Sequence, residues 1–262
     1  MRSRRSDGLG IVFLGLVGIT AAAGALPAPS TEPGLAGIIP RNQQAVTRGQ
    51  DTSGIRSLEI TLAMQDSGQT LDADYKVTRD GRMRIDILKD GKRVYTEAYD
   101  GHRGWDLGQD GSVPEVDPHG ATLWHGTQFP GQIFTLKDMA AQGHKLKYLG
   151  REPVDGIDYY VLKLTLSDGF ETYRYVNPDT WLIDRGRDYR AFHPAVDGRE
   201  TWVETAWRDY RQVKGLLYAF ASSNTDLMSG KRLATQRVKA LKVNPQFDPA
   251  TFSMPAAAKP GS

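Results

Sequence analysis

The feature that most constrains the fold is an Asp-Gly pair that recurs at a fixed interval. The pairs begin at Asp80, Asp90, Asp100 and Asp110. Acidic, Gly-rich repeats bind metal ions in some proteins, and Asp-Gly also forms two-residue hairpin turns. A metal-binding coil would keep its ligands close together, whereas a strand of about eight residues plus a two-residue turn gives the observed interval. The spacing therefore favours β-hairpins over a metal site.

The residues between these pairs alternate between apolar and polar side chains. An alternation of period two is typical of antiparallel strands that bury one face. The clearest apolar rows are Leu58-Ile60-Leu62-Met64, Leu71-Ala73-Tyr75-Val77 and Met83-Ile85-Ile87.

Similar stretches continue towards the C-terminus, with further turns predicted at Asp155-Gly156, Asp168-Gly169 and Asn177-Pro178. The pattern predicts a mainly β (α+β) fold with about eleven strands in one curved antiparallel sheet. Two helices are also predicted, one before the strands and one among them. One is predicted around Asn42 to Arg48 and ends at Gly49, and the other covers Gly126 to Gln142.

The N-terminus resembles an export signal. Arg2, Arg4 and Arg5 precede an apolar stretch from Leu9 to Ala25 that ends in a small-x-small sequence. A membrane anchor is the alternative, and the two arginines at 4 and 5 leave open whether export uses the Sec or the twin-arginine route. We predict a signal peptide at residues 1–25, a flexible lead at 26–44, one domain at 45–255 and a disordered tail at 256–262.

The charge balance and the absence of cysteine exclude several classes of protein. The 262 residues include 33 Lys and Arg and 31 Asp and Glu; without residues 1–25, which hold three Arg and one Asp, 30 of each remain. A balanced chain is not typical of nucleic-acid binding, which needs clustered basic residues. Without cysteine, disulfides, thiol catalysis and lipid attachment through Cys are excluded. We therefore predict an exported, soluble, periplasmic protein that is not lipidated.

No motif for chemistry stands out. The five histidines show no spacing typical of metal ligands, and no nucleophile elbow, P-loop or dinucleotide fingerprint is present. We predict no catalytic residue, metal or cofactor. Large aromatic residues lie on or near the strands and form either ordinary core or the wall of a cavity that binds acyl chains. They are Trp105, Trp124, Phe129, Phe134, Trp181, Phe192, Trp202, Trp207 and Tyr218.

Several stretches, in this order along the chain, resemble the LolA-type periplasmic carriers of outer-membrane lipoproteins and their lipoprotein-sorting relatives. These stretches are DADYKVTRDGRMRIDI, YDGHRGWDLG, GREPVDGIDYYVLKLT with YRYVNPDTWLIDR, DYRQVKGLLYAF, and the ending VKALKVNPQFDPATFSMP. The resemblance covers about residues 45 to 255. The sequence SVPEVDPHGATLWHGTQFPGQ has no counterpart, and the first helix is short.

The resemblance implies an open half-barrel whose apolar cavity lies under a helical lid. It also implies a monomeric carrier that takes the acyl chains of a lipoprotein or lipid from an inner-membrane donor to an outer-membrane acceptor. Arg79 matches the basic residue that holds the lid closed in such carriers, although a surface arginine before a turn would look the same. The residues that we expect to form the latch and the cavity are Arg79, Tyr75, Met83, Ile85, Trp105, Phe134 and Trp207.

Two alternatives to a carrier remain open at this point. The same cavity could serve a periplasmic sensory or interaction module that binds lipid without transporting it. An envelope hydrolase is the third possibility, because paired carboxylates can be brought together by folding from distant parts of a sequence.

Overall fold

The computed structural model describes residues 32–108, 120–129, 131, 133–193 and 197–255. The predicted signal peptide, the fourth Asp-Gly pair and the predicted tail lie outside these residues. The strands are β1 Ser57–Asp66, β2 Gln69–Thr78, β3 Met83–Lys89, β4 Lys92–Tyr99, β5 Gly104–Gly108, β6 Lys145–Val154, β7 Ile157–Thr165, β8 Glu171–Val176, β9 Ile183–His193, β10 Asp197–Val213, β11 Leu216–Asp226 and β12 Arg232–Val243. The helices are α1 Gly34–Thr47, α2 Gly120–Gln128 and α3 Asp138–Ala141.

The described strands form one antiparallel sheet in the order β5-β4-β3-β2-β1-β12-β11-β10-β9-β8-β7-β6. The sequence runs as two meanders, β1 to β5 and β6 to β12, which join where β1 pairs with β12. The strands β5 and β6 form the two edges, so the sheet is not closed. The predicted mainly β fold, an open antiparallel half-barrel of about eleven strands, is confirmed, with twelve strands in place of eleven.

The predicted Asp-Gly turns lie between strands wherever the structure describes them. At the β3–β4 turn, Asp90 and Gly91 have φ values of 52° and 74°. Two consecutive positive φ values define the turn that matches the twist of a hairpin, and Asp-Gly adopts it at low cost. The pairs at Asp80 and Asp100 separate β2 from β3 and β4 from β5. The hairpin interpretation of these three pairs is confirmed.

The first helix starts earlier than the sequence predicts. It begins at Gly34, within the stretch assigned to a flexible lead, and ends as expected with Arg48 and Gly49 at positive φ. Pro40 lies inside it and lacks the N–H that a helix interior uses. Burial offsets this cost, because Ile38 is fully buried against Leu162 and Val176 of the sheet.

The prediction of one helix over Gly126 to Gln142 is wrong. The connector, which we define as residues 109–144 between β5 and β6, instead contains the two short helices α2 and α3. The sequence has Pro130 just after α2, and proline disfavours helical backbone at the residue before it. Between the helices, Ile133, Phe134 and Leu136 are buried, so this irregular segment contributes to the core.

The main core lies on one face of the sheet, which we call the inner face. It combines apolar residues from both meanders with residues from the connector. Leu58 and Val77 come from the first meander, Leu164 from the second, and Met139 from α3. The helices therefore pack on the inner face, which positions the site described next.

Candidate functional site

A cavity of about 730 Å³ lies between the inner face and the connector. It is within the range of about 300–1,000 Å³ typical of small-molecule sites. Most of its wall is apolar or aromatic. The apolar and aromatic residues of the wall are Val46, Ile60, Leu62, Tyr75, Met83, Ile85, Leu123, Phe129, Phe134, Leu136, Phe170, Leu182, Ile183, Tyr189, Ala191, Trp207, Tyr210, Leu216, Leu217, Tyr218, Ala219, Phe220, Ala221 and Val238.

Strand periodicity explains why the wall is apolar. Side chains two residues apart point to the same face of a strand, and Ile60 and Leu62 of β1 and Met83 and Ile85 of β3 all line the cavity. The alternate residue Thr61 instead contacts Asp74 through its hydroxyl, at 3.2 Å. The alternation in the sequence thus separates a cavity face from a polar outer face.

Five of the residues predicted from the sequence line this cavity. Tyr75, Met83 and Ile85 come from β2 and β3, Phe134 from the connector and Trp207 from β10. The fold therefore brings together side chains that are far apart in the sequence.

Trp105 is not among the described residues that line the cavity. Its indole Nε1 donates a hydrogen bond of 2.8 Å to the carbonyl oxygen of Phe252, and the guanidinium of Arg84 lies 5.7 Å from the centre of its ring. The side chain is 1% exposed. Trp105 is buried because the C-terminal segment packs over it, and this contact distinguishes it from the five residues above.

Arg79 joins the connector to the segment that precedes β1. Its Nε donates to the carbonyl oxygen of Ile55 at 2.9 Å, and its Nη2 lies 3.4 Å from the carbonyl oxygens of Thr52 and Ile133. Its guanidinium also lies 3.9 Å from Asp138 of α3 and 5.3 Å from the ring centre of Phe134.

Two tyrosines of the wall, Tyr210 and Tyr218, are held in their neutral form. Burial raises the pKa of Tyr210, whose hydroxyl donates to the carbonyl oxygen of Ile183. Burial also raises the pKa of Tyr218, and the nearby Tyr75 adds to this effect. Both hydroxyls therefore stay protonated over the physiological range, and this part of the wall carries no charge.

A hydrogen bond between His125 and Asp168 lies where α2 meets the β7–β8 turn. His125 Nε2 is 2.7 Å from Asp168, and the imidazole stacks on Phe170 with a distance of 4.0 Å between ring centres. Burial alone would raise the pKa of Asp168, but hydrogen bonds from the Phe170 N–H and from His125 lower it below its ordinary value. These contacts hold α2 against the sheet.

Sequence reasoning missed Arg174, which also lines the cavity and is 1% exposed. Alternation along β8 would have identified it, because Thr172, Arg174 and Val176 share the buried face of that strand. A lone arginine on an otherwise buried face is an unusual feature of a sequence.

The described residues include no group of three or more His, Cys, Asp or Glu side chains that could hold a metal ion. Within the same residues, no helix is long and apolar enough to cross a membrane.

Comparison with known proteins shows the fold. No protein-family model and no curated protein matches the chain. Among solved structures, an outer-membrane lipoprotein-sorting protein domain from Vibrio parahaemolyticus is 13% identical, with a TM-score of 0.55 over 82% of this chain and 94% of that one. A LolA superfamily protein from Nitrosomonas europaea is 13% identical, with a TM-score of 0.52 over 83% of this chain and 96% of that one. A DUF1329 family protein from Desulfovibrio piger is 15% identical, with a TM-score of 0.50 over 82% of this chain and 97% of that one. The protein has a LolA-type fold.

Proposed function

We propose that the protein binds acyl chains in the cavity and carries them, as a lipid or as the lipid part of a lipoprotein, through the periplasm to the outer membrane. The observation that supports this most is the apolar wall of a cavity of about 730 Å³. The likeness in fold to a lipoprotein-sorting domain supports the choice of cargo. The proposed function is binding and transfer, without catalysis.

The energetics of acyl chains explain why such a carrier needs an enclosed cavity. Each buried CH₂ group contributes about 0.8 kcal/mol, so a chain of about 16 carbons would lose on the order of 12 kcal/mol on exposure to water. Free diffusion of the cargo through water is therefore very slow. A carrier that shields the chain and hands it directly from an inner-membrane donor to an outer-membrane acceptor avoids this cost.

We propose that Arg79 is the latch of this carrier. Its hydrogen bonds to the carbonyl oxygens of Ile55 and Ile133 join the connector to the segment before β1. Opening the connector to admit a chain would break these contacts. A guanidinium suits this role because its fork of donors can bind several carbonyl oxygens at once.

A polar substitution in the wall tests acyl binding. In Leu62→Gln, an amide would lie inside the cavity, and burying an unpaired amide next to an acyl chain costs about 1–3 kcal/mol. We expect a fluorescent fatty-acyl probe to bind about tenfold or more weakly to this variant in a titration.

The matched control is Thr61→Gln, because this neighbouring residue faces Asp74 on the outer face. The control should bind the probe as the unmodified protein does. Equal weakening in both variants would mean that the amide acts on folding, and no weakening in Leu62→Gln would remove the cavity from the proposed function.

A further inference from the structure

The second meander places two arginines in the cavity wall, Arg174 and Arg190, and of these Arg174 is the buried one. Arg174 lies on β8 directly opposite Gly186 of β9, and its side chain extends over that glycine. A Cβ atom at position 186 would lie 2.0 Å from Nη1 of Arg174 and 2.9 Å from Cη2 of Trp207. The absence of a side chain at Gly186 therefore makes the space that the guanidinium occupies.

Aromatic rings lie close to the guanidinium of Arg174. Its central carbon is 4.4 Å from the ring centre of Phe129, in the connector, and 5.6 Å from that of Trp207, in β10. Contacts of this kind stabilise a cation but do not use its N–H groups. The donors along the edge of the guanidinium still need acceptors.

Two of these donors have no hydrogen-bond partner among the described residues. Nε and Nη2 of Arg174 are both buried and unpaired. They carry the parallel N–H bonds of one edge of the guanidinium, which is the pair that binds both oxygens of a carboxylate or phosphate in a bidentate contact. The two unpaired atoms are thus the donors that a bidentate contact with an anion would use.

Asp188, the acidic residue whose charge acts on Arg174, has other contacts. It accepts a hydrogen bond from the hydroxyl of Thr172 and lies 3.7 Å from Nε of Arg190. Burial lowers the pKa of Arg174, while the charge of Asp188 acts in the opposite direction. An arginine remains protonated in proteins, so the buried guanidinium keeps its charge, and none of the described acidic residues is hydrogen-bonded to it.

We propose that Arg174 binds the anionic group of the acyl ligand, a carboxylate or a phosphate, inside the cavity. Phe129 covers the guanidinium in this structure, so its ring moves aside when the ligand enters. The ligand is then an amphiphile with its charged group held inside the protein, rather than a neutral chain. This inference rests on the proposed function, because it takes acyl binding in the cavity as given.

The test compares ligands that share one chain and differ in the terminal group. Dodecanoate, dodecyl phosphate and the neutral dodecanol are titrated at pH 7.5 into the full chain and into Arg174→Met, which keeps an unbranched, flexible side chain and removes its charge. Arg232→Met, at an exposed arginine of β12, is the matched control. Binding is followed by calorimetry.

We expect the unmodified protein to bind at least one of the two anions about tenfold or more tightly than dodecanol, since hydrogen bonds to charged groups are strong. Arg174→Met should lose this preference and keep its affinity for dodecanol, and Arg232→Met should keep the preference. A preference for dodecanoate alone would identify a fatty acid as the class of ligand, and a preference for dodecyl phosphate alone would identify a phospholipid.

The two proposals fail in different ways. If the unmodified protein binds dodecanol and the anions equally, or if Arg174→Met keeps the preference, Arg174 is not the anion site although acyl binding stands. If none of the three ligands binds, the proposed function itself is overturned.

Arg174→Lys provides a second variant if the methionine variant does not fold. It keeps the positive charge but lacks the two parallel N–H donors of a guanidinium, so it should lose part of the preference for the anions.

Discussion

At position 186, a single hydrogen atom in place of a side chain decides whether Arg174 fits over the sheet. In Gly186→Ala the new methyl group would overlap Nη1 of Arg174 and approach Trp207. Because the arginine is buried and has little room to move, we expect a loss of about 1–3 kcal/mol in the free energy of unfolding, measured by urea denaturation.

Gly198→Ala is the control for this prediction. Gly198 is exposed, and a Cβ atom there would meet no atom within 4 Å. Its stability should change by no more than about 0.5 kcal/mol. A similar loss in both variants would show that the cost at position 186 comes from the backbone rather than from contact with Arg174.

Single residues also show where sequence reasoning succeeds and where it ends. Alternation along β2 and β3 predicts that Tyr75, Met83 and Ile85 share a face with one another, and this depends only on neighbours in the chain. The environment of Trp105 depends on Phe252, which is 147 residues away in the sequence. No local pattern contains such a contact, so the cavity expected at Trp105 could not be separated from ordinary core.

Among the elements, the connector contacts Arg79 through Ile133 and Asp138. Arg79→Leu removes the hydrogen bonds to Ile55 and Ile133 and the charge beside Asp138. Since hydrogen bonds to charged groups contribute about 1.5–3 kcal/mol, we expect amides of residues 133–141 to exchange about tenfold or more rapidly, measured by hydrogen exchange with mass spectrometry.

Arg56→Leu is the matched control, because Arg56 is exposed and adjacent to the same segment. It should leave the exchange of residues 133–141 unchanged. The latch also predicts altered binding of an acyl probe by Arg79→Leu. Unchanged exchange together with unchanged binding would mean that Arg79 is only a surface arginine at the end of a strand.

A buried histidine, His144, joins α2 to the β7–β8 turn, and its environment predicts that stability depends on pH. His144 Nδ1 accepts the N–H of Ser167 at 3.1 Å, and Nε2 is 3.2 Å from Oε1 of Gln128. Burial lowers the pKa of His144 below its ordinary value of about 6.5, while the charge of Asp168 acts in the opposite direction.

The sign of the effect follows from this shift. Between the folded pKa and about 6.5, the unfolded state binds a proton that the folded state does not, so stability falls as pH falls through this window. We expect the Tm of the unmodified protein to decrease from pH 7 downwards, and the decrease to be smaller in His144→Gln. The exposed His102→Gln should keep the full decrease. Identical profiles for all three proteins would contradict the assignment to His144.

The connector also marks a limit of sequence patterns at the scale of elements. Phe134, Leu136 and Met139 were expected to lie on one helix, but the first two are buried in irregular backbone and only the third is helical. Their apolar character does predict burial. Pro130 in the sequence and packing against both meanders determine which element forms. The spacing of apolar residues alone does not reveal this packing.

For the whole molecule, hairpin turns predict the two meanders, since each strand pairs with its neighbour in the sequence. The pairing that joins the meanders, β1 with β12, brings Leu58 beside Val243 and has no local signal. The sheet that it completes gives the cavity one continuous wall drawn from both meanders. The central claim, that this cavity binds acyl chains, therefore concerns the molecule as a unit.

The most direct test of this claim is native mass spectrometry of the protein as purified from the cells that express it, followed by extraction and identification of bound lipid. We predict that an acyl lipid or an acylated protein copurifies with the folded chain and is released on unfolding. A chain that is empty as purified, and that also fails to take up a fluorescent fatty-acyl probe, would contradict the account.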